Sequence, residues 1–265
     1  MLAVITGGSS GIGAAFARKL AARGYDLLLV ARREDRLRSI ASEVRELHHL
    51  RAEYLCADLT EAGDREKVAA RLRQAKDLGL LVNNAGFGTM GYFFEADLAG
   101  QERMHQLHVV ATMALTHAAL ENLFPRGVSG TGVINVSSVA AFGSSPQNVS
   151  YCATKAWMNA FTEALATELA GRGSPVTVQA LCPGFTLSEF HDVLGMDRGT
   201  IPQSLWMTAD FVAEQSLRGF DRGKLIVIPG WRYRVLVRGM KTIPSSLLRR
   251  MSIAAVRRYR RRKQA

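Results

Sequence analysis

The stretch that most constrains this chain is its beginning, where Val4-Ile5-Thr6 runs into Gly7-Gly8-Ser9-Ser10-Gly11-Ile12-Gly13 and then Ala14-Ala-Phe-Ala-Arg-Lys-Leu-Ala-Ala22. An apolar strand, a glycine-rich turn and a segment of helical composition follow one another with no linker between them. Glycines in such a turn let the backbone bend tightly and approach a pyrophosphate, whose charge is then met by amide N–H groups at the helix N-terminus. The spacing Gly7-xxx-Gly11-x-Gly13 differs from GxGxxG, so that fingerprint is not invoked. A plain strand-to-helix turn is the competing reading, and the position between strand and helix favours nucleotide binding.

The alternation continues along the chain. Asp26-Leu-Leu-Leu-Val-Ala31 is a continuous apolar run of the kind found in a parallel strand covered on both faces. Further strands are expected at 51–57, 79–84, 131–137, 175–182 and 224–229, with helices at 34–48, 61–77, 97–124, 151–171 and 209–220. Seven strands separated by helices predict an α/β fold, a doubly wound parallel sheet whose ligands sit beyond the carboxyl ends of the strands. Gly7 to Gly13, Arg32, Asp58, Asn83-Asn84-Ala85-Gly86, Ser137-Ser138 and Pro183-Gly184 all fall there. With 265 residues and no internal repeat or low-complexity linker, one large domain over 1–230 is expected, followed by a basic, partly amphipathic helical extension over 231–265.

Two pairs of side chains suggest chemistry. Arg32 and Arg33 stand at the end of the second strand, close to twenty residues past the glycine loop, where selection for a free ribose hydroxyl would need an acid. Guanidinium groups fit a 2′-phosphate better, so the sequence points to NADP(H). Arg33 also reads as a surface residue opening the next helix, and Arg32 less so. Tyr151 and Lys155, four apart in Tyr151-Cys-Ala-Thr-Lys155, share one face of the expected helix 151–171. An ammonium beside a phenol favours the phenolate and makes an acid/base pair.

The set Thr6-Gly-Gly-Ser-Ser-Gly-Ile-Gly13, Asn83-Asn-Ala-Gly86, Ser138, Tyr151-xxx-Lys155 and Pro183-Gly184 closely resembles the short-chain dehydrogenase/reductase family over roughly residues 1–230. The resemblance implies a Rossmann-type fold and hydride transfer at a nicotinamide. It places Gly7, Gly11, Ile12 and Gly13 on the dinucleotide phosphates, with Ser9 and Ser10 also among the cofactor-binding residues. It places Asp58 and Leu59 at the adenine, and Asn84, Ala85 and Gly86 near the adenine-side ribose and central sheet. Tyr151 and Lys155 would also contact the nicotinamide ribose. After Pro183-Gly184, Ser188 takes the place of the family's usual Thr on the diphosphate or carboxamide side, with Thr186 as the alternative. In catalysis Ser138 would donate to the carbonyl oxygen and Tyr151 would supply the proton. His108 stands where many members carry an Asn that holds a relay water, an expected modification of the relay.

Remaining features bear on substrate and location. The stretch Phe185 to Thr208 is long for a connection at the ligand edge and carries Phe190, Val193, Leu194, Met196, Ile201, Leu205 and Trp206. With Phe87, Met90, Phe93, Phe94 and Phe142 it suggests an apolar pocket for a small lipophilic carbonyl or alcohol. Fourteen Lys/Arg lie in 222–265 without an Asp or Glu, leaving 20 basic and 23 acidic residues, net −3, in 1–221 against +11 for the whole chain. The basicity belongs to the tail, where Leu248, Met251, Ala255 and Tyr259 make an apolar stripe beside arginines. A helix packed beside the substrate loop and a peripheral contact with an anionic membrane are the two readings; no recognition motif supports nucleic acid. Cys56, Cys152 and Cys182 form no CxxC pair, and His105 and His108 have no third ligand spaced to complete a metal site. Without a charged leader or apolar run long enough to span a bilayer, a cytoplasmic protein is expected, with homodimers or homotetramers built on helices 97–124 and 151–171. A non-catalytic dinucleotide-binding regulatory or membrane-scaffold protein is the rival reading, opposed by intact Ser138, Tyr151 and Lys155.

Overall fold

The computed structural model describes residues 1–190, 199, 201–243, 250, 252 and 253. Six strands, β1 (Leu2–Thr6), β2 (Asp26–Ala31), β3 (Ala52–Cys56), β4 (Leu78–Asn83), β5 (Gly132–Val136) and β6 (Thr177–Leu181), coincide with the apolar runs within two residues. Two short strands not expected from sequence, β7 (Thr186–Leu187) and β8 (Met207–Thr208), pair in parallel and pin the two ends of the long loop together. β9 (Ile226–Val227) completes a seven-stranded parallel sheet in the order β3-β2-β1-β4-β5-β6-β9. The order reverses between β1 and β4, the switch point at which a doubly wound sheet opens a crevice for a ligand. This is the Rossmann-type architecture.

β4 is buried at every position because helices cover both faces of the sheet. On one side lie α1 (Gly11–Ala21), α2 (Glu34–His48) and, after the long loop, a helix that packs on α1. On the other lie α3 (Ala62–Gln74), α4 (Leu98–His105), α5 (Thr112–Arg126) and α6 (Val149–Gly171). The helix on α1 is α7 (Ala209–Phe220). In α2 the buried set Leu37, Ile40, Ala41 and Val44 recurs at three and four residues, the stripe a surface helix needs to dock. Leu37, Ile40 and Val44 each contribute about 1.5–3 kcal/mol when fully buried.

The helix expected over 97–124 is interrupted by a π-helical turn, Gln106–Ala111, between α4 and α5. His108 lies in that turn. A buried polar chain fixes α5 and α6 on the sheet: Asn83 Nδ2 donates to Thr116 Oγ1 (3.0 Å) and Asn135 Oδ1 (2.9 Å), and Asn135 Nδ2 donates to Thr162 Oγ1 (2.9 Å). Satisfied in this way, polar groups in a core specify one helix position, since any slip leaves a buried donor unpaired. The start of the extension is α8 (Trp231–Thr242), which docks through buried Tyr233 and Val237. The apolar stripe Leu248, Met251, Ala255 and Tyr259 lies outside the described residues, as do Val193, Leu194 and Met196 of the loop. No helix among the described residues is long and apolar enough to cross a membrane.

Candidate active site

The glycine loop is built by close approach. Gly7 (φ +65°) and Gly11 (φ +53°) adopt left-handed backbone, and a Cβ on Gly13 would sit 2.2 Å from the Gly7 carbonyl oxygen. Asn84 locks this shape from β4's end: its Nδ2 donates to the carbonyls of Thr6 (2.9 Å) and Gly7 (3.2 Å), while Thr6 Oγ1 accepts from the N–H groups of Asn84 (2.9 Å) and Ala85 (3.0 Å). Asn84 is therefore a support of the loop. At the start of α1, Ser10 makes no side-chain cap and the first turn holds no acid, so no side chain of α1 itself neutralises the amides of its N-terminus. These features fit a dinucleotide pyrophosphate.

Beyond β2 the two arginines divide. Arg32 pairs with Asp58 at 3.6 Å. Arg33, the one with the blander sequence reading, reaches Ser10 Oγ (2.8 Å) and Ser9 Oγ (3.2 Å) through Nη2. Arg36, three residues further on in α2, joins it: both guanidiniums hold the carboxylate of Glu189, Arg33 Nη1 at 2.7 Å. A cavity of about 420 Å³ opens alongside, lined in part by Ser9, Ser10, Gly11, Arg18, Arg36 and Asp210. Burial would raise the Asp58 carboxyl, but hydrogen bonds from Thr60 and the Arg32 guanidinium outweigh it and hold it below the usual value. Leu59 is packed in the core.

The candidate catalytic side chains gather beyond β5. Ser138 is extended and its Oγ accepts from the Ala140 N–H (3.1 Å). Tyr151 and Lys155 lie one turn apart near the start of α6, with Lys155 Nζ 5.8 Å from the centre of the Tyr151 ring. The spacing predicts an ammonium beside the phenol, and the structure places Lys155 there. Lys155 is buried and donates to the Val136 carbonyl at 2.7 Å, while burial pushes the Tyr151 hydroxyl up to about 12, partly opposed by its hydrogen bond with Ser138. Burial draws Lys155 down to about 8.

His108 is wholly buried beside them, its ring centroid 5.9 Å from that of Tyr151 in an edge-on arrangement. Nδ1 lies 2.9 Å from Thr154 Oγ1, and Nε2 is the buried side-chain atom that has no hydrogen-bond partner among the described residues. Burial, then Lys155 and His105, keep the imidazole pKa well below its usual range. A Cβ on Gly86 would come within 2.8 Å of Nε2, which explains a glycine there.

Pro183 accepts from the Val139 N–H (3.0 Å), tying β6's end to the Ser138 turn. Gly184 is required by Tyr233, whose ring atoms lie 2.1–2.4 Å from where its Cβ would be. Tyr233 Oη donates to the Leu205 carbonyl (2.7 Å) and accepts from the Phe185 N–H (3.0 Å), clamping both ends of the long loop. Thr186 is buried, and its Oγ1 donates to the Gly184 carbonyl (3.0 Å); Ser188 lies over Gly11, its Cβ 3.0 Å from a Cβ placed there. Phe190 lies against Tyr151, ring centroids 5.7 Å apart, and Phe87 against His108 at 6.3 Å. Phe185 and Trp206 pack together at 5.5 Å, and Met90, Phe93 and Phe94 are exposed. Phe142 instead meets Lys241 of α8.

Arg36, Glu189 and Tyr233 were not singled out by the sequence. For Arg36 a signal existed in its place in the first turn of α2, three residues after Arg33.

Comparison with known proteins agrees with this geometry. The family model described as short chain dehydrogenase matches residues 1–198. A 7beta-hydroxysteroid dehydrogenase of Collinsella aerofaciens is 30% identical over 238 residues, 90% of this chain and 89% of that protein. A short-chain dehydrogenase from Sphingobium yanoikuyae solved in complex with NADPH is 35% identical, with a TM-score of 0.82 over 92% of this chain and 96% of that one. The bulky-bulky ketone specific alcohol dehydrogenase from Comamonas testosteroni is 31% identical, with a TM-score of 0.78 over 92% and 94% of the two chains. By its glycine loop, its Ser138, Tyr151 and Lys155, its sheet order and these likenesses, the chain belongs to the short-chain dehydrogenase family of oxidoreductases.

Proposed function

We propose that the protein is an NADP(H)-dependent reductase or dehydrogenase that interconverts a lipophilic ketone or aldehyde and its alcohol, with Tyr151 as acid and base. The observation that carries this reading is the meeting of Ser138, Tyr151, Lys155 and His108 beyond β5, one sheet crevice away from an arginine–serine cradle for a phosphate.

The dinucleotide, when bound, supplies or accepts the hydride. Gly7, Gly11, Ile12 and Gly13 with the N-terminus of α1 would hold its phosphates, and Arg33, Arg36, Ser9 and Ser10 its 2′-phosphate, with Arg32 and Asp58 beside the adenosine. Ser138 donates a hydrogen bond to the substrate oxygen as charge develops there, and Tyr151 delivers the proton. Burial keeps the phenol protonated at neutral pH, which suits the reductive direction. Lys155 anchors to Val136 and keeps a positive charge near the phenol. Neutral His108 presents an acceptor to the relay.

Phe190 and Phe87 flank the reacting groups with apolar rings, in keeping with relatives whose names specify a hydroxysteroid and bulky-bulky ketones. Half-buried Trp157 and Phe161, stacked at 4.8 Å on α6, suit a homo-oligomer. NADPH and NADH consumption across a panel of lipophilic ketones and aldehydes tests the proposal. Turnover with a preference for NADPH is expected; binding without turnover on a broad panel, or a preference for NADH, contradicts it.

A further inference from the structure

The segment Ser188-Glu189-Phe190 follows β7 and touches the dinucleotide cradle along its length: Ser188 lies over Gly11, Glu189 reaches Arg33 and Arg36, and Phe190 lies against Tyr151. Its central contact joins the loop to a helix start 156 positions away. Arg33 spans two partners, with Nη1 on the Glu189 carboxylate at 2.7 Å and Nη2 on Ser10 Oγ at 2.8 Å and Ser9 Oγ at 3.2 Å. Two guanidiniums and two hydroxyls form a set suited to a dianionic phosphate, and the carboxylate is the side-chain group closest to a phosphate edge in charge and geometry.

We infer that Glu189 is a specificity-determining residue, an internal anion that competes with the 2′-phosphate of NADP(H) for Arg33 and Arg36. The inference rests on the NADP(H) reading above. The two arginines, Arg36 foremost, hold the Glu189 carboxyl down at about 2, so the competitor is charged at every working pH. All three side chains are more than 40% exposed, and ion pairs at such positions are weak. A phosphate that carries about twice the charge and more acceptor oxygens displaces the carboxylate, at the cost of the pairs it breaks. Glu189 therefore tempers the preference for NADPH rather than abolishing it. Only the fraction of molecules with a free cradle is competent for the phosphate, and apparent affinity falls by that fraction.

The test is calorimetric titration of the full-length protein with NADPH and NADH, for wild type, Glu189→Gln and Glu189→Ala, each repeated in an Arg33→Ala/Arg36→Ala background. In the native background the NADPH-to-NADH affinity ratio rises by about two- to five-fold in both Glu189 variants, the scale of an exposed charge pair. The change disappears when both arginines are absent, an outcome that a merely structural role for the loop would not give. A wild type that prefers NADPH, with Glu189 variants that leave the ratio unchanged or lower it, overturns the inference and leaves the cofactor reading intact. A wild type with no preference for NADPH overturns the cofactor reading, and this inference falls with it.

Discussion

His108 Nδ1 lies 2.9 Å from Thr154 Oγ1, and Thr154 Oγ1 in turn donates to the Tyr151 carbonyl at 2.9 Å. With the hydroxyl proton committed to that carbonyl, the imidazole donates through Nδ1 and Nε2 is left as a bare acceptor. Burial and the neighbouring Lys155 prevent protonation. His108 thus offers one fixed acceptor, facing Gly86, on a ring that lies edge-on to Tyr151. His108→Asn keeps that acceptor type and is expected to retain activity, whereas His108→Leu lowers kcat by roughly ten-fold, short of the loss of a direct acid or base. Neither the wild type nor His108→Asn shows an inflection in kcat near pH 6.5; an inflection there that vanishes in the variant contradicts the assignment.

Stability should depend on pH through Lys155. Its folded-state pKa of about 8 lies below the ordinary 10.5, so between those values the unfolded chain binds more protons and stability rises with pH. The penalty of the buried ammonium is fully present below about 8 and relieved by about 10.5. Tyr151, raised from 10.0 to about 12, acts with the opposite sign only above about pH 10. Urea midpoints at pH 7.5 and pH 9.5 should show wild type gaining on Lys155→Met; parallel midpoints would show that the ammonium is not desolvated.

Gly13→Ala places a methyl group 2.2 Å from the Gly7 carbonyl and 2.6 Å from Asn84 Nδ2, neither of which is a free side-chain end. The variant should lose dinucleotide binding by more than ten-fold and melt several degrees lower, by overpacking of about 1–3 kcal/mol. Wild-type affinity in differential titrations would mean that the loop adopts another shape.

Tyr233→Phe removes the hydroxyl that joins the Phe185 N–H to the Leu205 carbonyl. The cost is about 1–3 kcal/mol for the groups left unpaired, and the loop ends loosen. Limited proteolysis should cut the variant faster within 185–208 than elsewhere; unchanged cleavage would remove the clamp from the account.

Much of this molecule is written locally. Runs such as Asp26–Ala31 announce strands because burial on both faces leaves no room for polar residues, and the glycine loop is legible because close backbone approach has no other solution. Tyr151 and Lys155 are visible through helical spacing, but not the balance of their pKa values, which depends on how dry the site is. The division of labour between Arg32 and Arg33 turns on Asp58 for one and on Ser9, Ser10 and Glu189 for the other, partners that the local sequence does not place beside them. Glu189 and Tyr233 were missed because their partners lie 156 and 49 residues away. The π-helical turn that holds His108 leaves no break in the apolar pattern from which it could be read.

The central claim is that Tyr151 is the acid and base of a hydride transfer, and one paired measurement bears on it most directly. NADPH oxidation with a reactive lipophilic ketone is followed for wild type and Tyr151→Phe, alongside NADPH affinity from the nicotinamide fluorescence of each. Loss of the phenol oxygen should lower turnover by about 10²–10⁴-fold while affinity changes by less than about ten-fold. Turnover in the phenylalanine variant close to wild type would contradict the account.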